Sequence, residues 1–229
     1  MTEHINSAFD DGLKEVNKQI AKLGALAETQ LDDSLNALKD KNIQKFESII
    51  NRDKSLDKIT ADVSSSVFEL LALWSPIAYD LRSLLVADRV GAILERVGDY
   101  SKNIARRSRV IISEENFDRL PVNIIGLGQH VQDLLHKSLD AYMELNIEKA
   151  MNIWESDIDT DRLYLSIFKE ILSYMTENPD DAKTLTHLIF ISKNLERVGD
   201  YTTSIAKQTY FLIEGTVPQT KRPKAMTTF

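Results

Sequence analysis

Eight acidic residues fall into four pairs, each pair four residues apart: Asp53 with Asp57, Glu95 with Asp99, Asp157 with Asp161, and Glu196 with Asp200. On a helix that spacing puts two carboxylates on one face, where like charges repel unless a cation answers them. Facing pairs on neighbouring helices make a nest of four carboxylates, a donor set suited to hard or borderline cations. Di-iron bundles project acids from adjacent helices in the same way. The plain alternative is a solvated charge pattern, in which Asp99 answers Arg96 and Lys102 while Glu95 lies between Arg89 and Arg96. It accounts well for any one pair. Four pairs at equivalent places weigh against it.

The places are equivalent because the chain repeats itself. The seven residues "LERVGDY" occur at 94–100 and again at 195–201, and "LERVGDYSKNIAR" overlies "LERVGDYTTSIAK" at a shift of 101. Upstream, "LNALKDKNIQKFESIINRDKSLD" (35–57) overlies "LDAYMELNIEKAMNIWESDIDTD" (139–161) at a shift of 104. The change of three residues points to a shorter connection between the second and third helices of the second unit. At about 100° per residue, Val90, Leu94, Val97, Ser101 and Ile104 define a buried stripe. Asp88, Glu95 and Asp99 fall on the opposite side. In the preceding helices Asp53 and Asp161 lie near the middle of the apolar arc, with Asp57 and Asp157 at its edges, and an acid in an apolar stripe needs a partner. Gly91, Gly98 and Ala105 recur every seven residues, as do Ser192, Gly199 and Ala206. A ridge of small residues lets a neighbouring helix come close, with or without a metal, although each internal glycine costs about 1 kcal/mol relative to alanine.

The elements that must position these residues are helices. Apolar residues recur at spacings of three and four with almost no β-branched alternation, predicting six helices at about 3–39, 43–72, 76–112, 121–144, 147–176 and 179–213. Ser75 with Pro76, and Asn178 with Pro179, read as an N-cap followed by proline at the first helical position. The third helix, about 55 Å long at 1.5 Å per residue, suits a bundle. The expected architecture is all-α: two tandem three-helix bundles, residues 1–114 and 115–214, with a polar, basic tail at 215–229 free to move or to touch a partner.

Composition narrows the chemistry. The 229 residues carry a formal charge of -7 and contain no cysteine. Thiol catalysis, iron-sulfur clusters and zinc knuckles are excluded, and nucleic acid is a poor partner for a chain without a broad positive field. The N-terminus lacks the pattern of a signal peptide, and "VFELLALW" at 67–74 falls short of a membrane span, so a cytoplasmic protein is expected. No phosphate loop, nucleophile elbow or HExxH sequence is present. Asp133 and His136, three apart, resemble one ferritin-like ligand pair, but the repeat has Thr29 and Asp32 there. His4, His130 and His187 read as surface or packing residues, and Trp74 and Trp154 as core.

"SPIAYDLRSLL" followed by "LERVGDYSKNIA", with "LERVGDYTTSIA" and "FLIEG" later, resembles the PhoU family of bacterial phosphate-transport accessory and regulatory proteins. The resemblance covers the chain to about Gly215. It implies two similar three-helix bundles whose Glu/Asp-x-x-x-Asp motifs hold metal ions or clusters, here Asp53, Asp57, Glu95, Asp99, Asp157, Asp161, Glu196 and Asp200. The ion would be iron, zinc, manganese, magnesium or calcium. It further implies a negative regulator of the phosphate-starvation response, often dimeric, that links the ATPase subunit of a phosphate ABC transporter to a membrane sensor histidine kinase and is not an enzyme. Family members commonly carry histidine after the motif aspartate, where this chain has Tyr100 and Tyr201, so metal binding is expected to be weaker or different. The second unit also lacks the "PxAxDLR" opening of the first. Two rival readings are a di-iron-like oxidase or metal-storage bundle and a purely structural scaffold whose acids pair with nearby arginines.

Overall fold

The computed structural model describes residues 7–113 and 123–218, with the side chains of Ser7 and Asp157 left aside. The described residues form six long helices: α1 (Ser7–Lys39), α2 (Ile43–Trp74), α3 (Ala78–Ile112), α4 (Ile124–Met143), α5 (Ile147–Glu177) and α6 (Ala182–Glu214). No strand occurs among the described residues. Predicted residues 3–6 of the first helix, 121–122 of the fourth, His4 and the tail beyond 218 lie outside the described residues.

The repeat is visible in the turns. Between α1 and α2, Lys41 takes a positive φ of 53° and the Asn42 amide donates to the Ala37 carbonyl at 2.9 Å. Between α4 and α5, Leu145 takes φ 52° and the Asn146 amide donates to Ala141, also at 2.9 Å. Both turns close the helix behind them with left-handed backbone. Asn42 and Asn146 then cap the helix ahead, accepting from the amides of Lys45 and Lys149.

The expected N-cap at Ser75 is corrected. Its amide donates to the Leu71 carbonyl and its backbone is left-handed, so Ser75 ends α2; extended Ile77 precedes α3, which starts at Ala78. Pro76 has no N–H to extend the ladder, which separates the two helices there. Asn178 and Pro179 do open a helix, but it is one 3₁₀ turn (Pro179–Asp181) ahead of α6.

One buried apolar cluster draws on all six helices, and Val90, Leu94, Val97 and Ile104 of the predicted stripe are fully buried in it. Trp154 is half-buried, and Trp74, expected in the core, is exposed because α2 carries it to the bundle's end. The halves meet about an approximate two-fold axis. On α3 and α6, Arg89 reaches Gln208 while Arg107 lies 4.0 Å over the Phe190 ring. The shift of 101 maps 89 onto 190 and 107 onto 208, so the helices run antiparallel and exchange equivalent places. On α1 and α4, Gln132 donates to Asp32 at 3.0 Å and His136 bonds Glu28 at 2.9 Å, again related by the repeat. The apolar seam follows the same rule: a Cβ on Gly24 would lie 3.1 Å from Leu139, and one on Gly128 would lie 2.4 Å from Leu35. Leucine from each half fills the hollow left by a glycine of the other.

Candidate functional site: two acidic clusters about a tyrosine pair

In the first half, α2 presents Asp53 and Asp57, and α3 presents Glu95 and Asp99. Asp53 is buried, as its place in the apolar arc required, whereas Asp57 is exposed. The partner Asp53 needed is Lys102, whose ammonium donates both to Asp53 and, at 2.6 Å, to Asp99. Arg96 flanks the pair at 3.7 Å from Glu95 and 3.6 Å from Asp99. The Glu95 carboxyl is held above its ordinary range by burial, with Asp99, Asp57 and Asp53 adding to the rise and Arg96 opposing it. All four carboxylates therefore share one electrostatic neighbourhood.

Gly98 explains how α2 comes near enough. A Cβ there would sit 2.4 Å from Cδ1 of fully buried Leu56 and 3.8 Å from Asp53. Gly199 does the same against Thr160, where the distance would be 2.8 Å. At the first site the layer is also tied to α1, since buried Gln30 donates to the Gly98 carbonyl at 3.1 Å.

The second cluster is built differently. Lys102 is replaced by Thr203, whose hydroxyl turns to the Asp200 carbonyl at 2.8 Å. Lys193 pairs with Glu196 at 2.8 Å, and Arg197 lies 3.8 Å from Glu196 and 3.4 Å from Asp200. Asp161 is half-buried on α5, and the Asp157 side chain lies outside the described residues. Burial is the largest influence on Glu196 and pushes its carboxyl up; the Lys193 bond opposes it and Asp200 adds to it. The sign follows: between the ordinary glutamate value of 4.5 and the raised folded value, the folded chain binds more protons than the unfolded chain. Stability contributed here therefore falls as pH rises through that window. Glu196→Gln is expected to raise the melting temperature at pH 7–8 and to leave it unchanged at pH 4, as followed by circular dichroism.

Tyr100 and Tyr201, the residues after the motif aspartates, touch each other across the axis, with ring centroids 5.9 Å apart and planes at 36°. Spacing along the chain gave no sign of this contact. Its only hint was that both copies carry the same aromatic residue where α3 and α6 are equivalent.

Among the described residues, no group of three or more His, Asp or Glu side chains is arranged to hold a metal ion. The first cluster does not fit one as it stands, because an ammonium group already lies between Asp53 and Asp99. The predicted pair Asp133 and His136 does not act together: Asp133 bonds Lys137 at 2.6 Å, and His136 faces Glu28. His130 bonds Thr160 at 3.1 Å as a packing residue. Of the arginines offered by the plain alternative, Arg96 pairs as expected, while Arg89 turns to Gln208.

Comparison with known proteins gives the same family twice in one chain. The model of the PhoU domain matches residues 20–108 and 124–209. The chain is 33% identical over 224 residues to a phosphate-specific transport system accessory protein PhoU homolog of Caulobacter vibrioides, covering 98% of this chain and 97% of that one. It is 37% identical to the homolog of Rhizobium meliloti, covering 96% and 93%. The crystal structure of PhoU from Pseudomonas aeruginosa superposes with a TM-score of 0.88 at 28% identity, covering 91% of this chain and all of that one.

Proposed function

The chain belongs to the PhoU family, and from that membership we propose that it is an accessory of phosphate-specific transport that restrains phosphate uptake and the phosphate-starvation response. It acts without catalysis, as a cytoplasmic adaptor between the ATPase subunit of a phosphate ABC transporter and a sensor histidine kinase. It meets the membrane only through these proteins and works as a homodimer. None of the described helices is long and apolar enough to cross a membrane, which is compatible with that place.

The observation that carries an adaptor role is the apolar end of the first half. Phe68, Leu73, Trp74, Ile77, Tyr79 and Leu81 are all exposed around the turn from α2 to α3, Phe68 at 69% and Ile77 at 79%. The repeat supplies an internal control. The second half closes the same turn with Asn178, Pro179, Asp180 and Asp181, so the fold does not need apolar side chains in the turn itself, although Leu172, the counterpart of Phe68, is also exposed. Exposed apolar surface without a folding role is surface for a protein partner.

Deleting the gene and following a phosphate-starvation reporter in phosphate-rich medium tests the reading. Reporter output is expected to rise to its starved level; output that stays low would remove the regulatory role.

A further inference from the structure

We infer that Lys102 is the resident cation of the first acidic cluster, and that it joins α2 to α3 there in place of a divalent metal. Three observations meet at this point. The Lys102 side chain is 15% exposed and that of Asp53 9%, so the pair is shielded from the solvent that makes surface ion pairs weak. The ammonium reaches one carboxylate on each helix, Asp53 on α2 and Asp99 on α3, and so occupies the position that a bridging cation would take. Gly98, one turn before Lys102, sets the helix separation at which that reach is possible.

The second cluster is built without that lysine. Within the duplicated motif, Thr203 stands at the equivalent position, and its hydroxyl satisfies a backbone carbonyl rather than a carboxylate. The nearby cations there, Lys193 and Arg197, come from α6 itself and serve Glu196 and Asp200. A divalent ion entering the first cluster has to drive a half-buried ammonium away from two carboxylates and tolerate its charge nearby. Removing that charge opens the place while all four acids remain.

The test uses the full chain with Glu196→Gln and Asp200→Asn, which leaves the first cluster intact and weakens the second. Equilibrium dialysis against Mn²⁺ alone and Zn²⁺ alone, followed by elemental analysis, reads ions bound per chain. The parent is expected to bind neither ion in a way that depends on Asp53. Adding Lys102→Met is expected to tighten binding by about tenfold or more, the scale on which one close unit charge shifts an equilibrium inside a protein. Further Asp53→Asn should abolish the gain. Lys102→Gln serves in the same way if circular dichroism shows the methionine variant unfolded. The inference is overturned if the parent already binds an ion that Asp53→Asn removes, or if neither lysine variant binds more metal than the parent.

Discussion

Gly98→Val is expected to lower the free energy of unfolding by about 3 kcal/mol, near the upper end of what overpacking a closed core costs. The valine methyls must enter the space held by Leu56, which is fully buried and packed in the shared apolar cluster, and they approach Asp53 beyond it. Helix propensity pulls the other way, since valine is a better helix former than glycine by a fraction of a kcal/mol. The steric cost outweighs it because Leu56 has no exposed volume to swing into. Moving α2 outward would relieve the clash but would stretch the Lys102 bridge between Asp53 and Asp99. Chemical denaturation of Gly98→Val, Leu56→Ala and the double variant checks the mechanism. The double variant should be markedly more stable than the sum of the single losses predicts, since the smaller residue restores the space. Additive losses would mean that Gly98 matters for some reason other than the approach of α2.

Phe68→Asp with Ile77→Asp is expected to derepress the phosphate-starvation reporter in rich phosphate as fully as deletion of the gene, while leaving stability within about 0.5 kcal/mol of the parent. Both side chains are already solvated, so the folded core loses nothing when they become charged. A partner that buries them loses apolar area at two positions and must desolvate two carboxylates, which is enough to disrupt an ordinary interface. The acidic turn at Asn178–Asp181 offers the matched control: exchanging Asp180 and Asp181 for asparagine should leave the reporter repressed. A repressed reporter in the Phe68→Asp and Ile77→Asp chain, made at normal abundance, would move the partner surface elsewhere.

The two sets of substitutions act on different properties of one architecture. Gly98 acts on a layer buried between helices, whereas the α2–α3 turn acts where the bundle faces outward. Their separation follows from the long helices: α3 alone carries both the exposed Leu81 at its first turn and the Gly98–Lys102 layer about 25 Å further along at 1.5 Å per residue.

The sequence by itself determined the helices, their number and the duplication. Apolar periodicity and turn chemistry are local, and a repeat can be read by sliding the chain along itself. It also placed Leu94, Val97 and Ile104 in the core and Asp53 in an apolar arc, because a helix's angular step is constant. It misassigned Ser75, since a serine before a proline can close one helix as well as open the next; the amide bond to Leu71 decides which. It overestimated the burial of Trp74, because periodicity continues to the last turn of a helix even where no neighbour remains to cover it. Only the tertiary structure decided what joins the helices within and between the halves. That Lys102 reaches across to Asp53, that Leu35 and Leu139 fill the hollows at Gly128 and Gly24, and that Tyr100 meets Tyr201 all depend on which helices run antiparallel and how close they come. Those contacts join residues up to 115 positions apart, as for Gly24 and Leu139, and no local pattern records them.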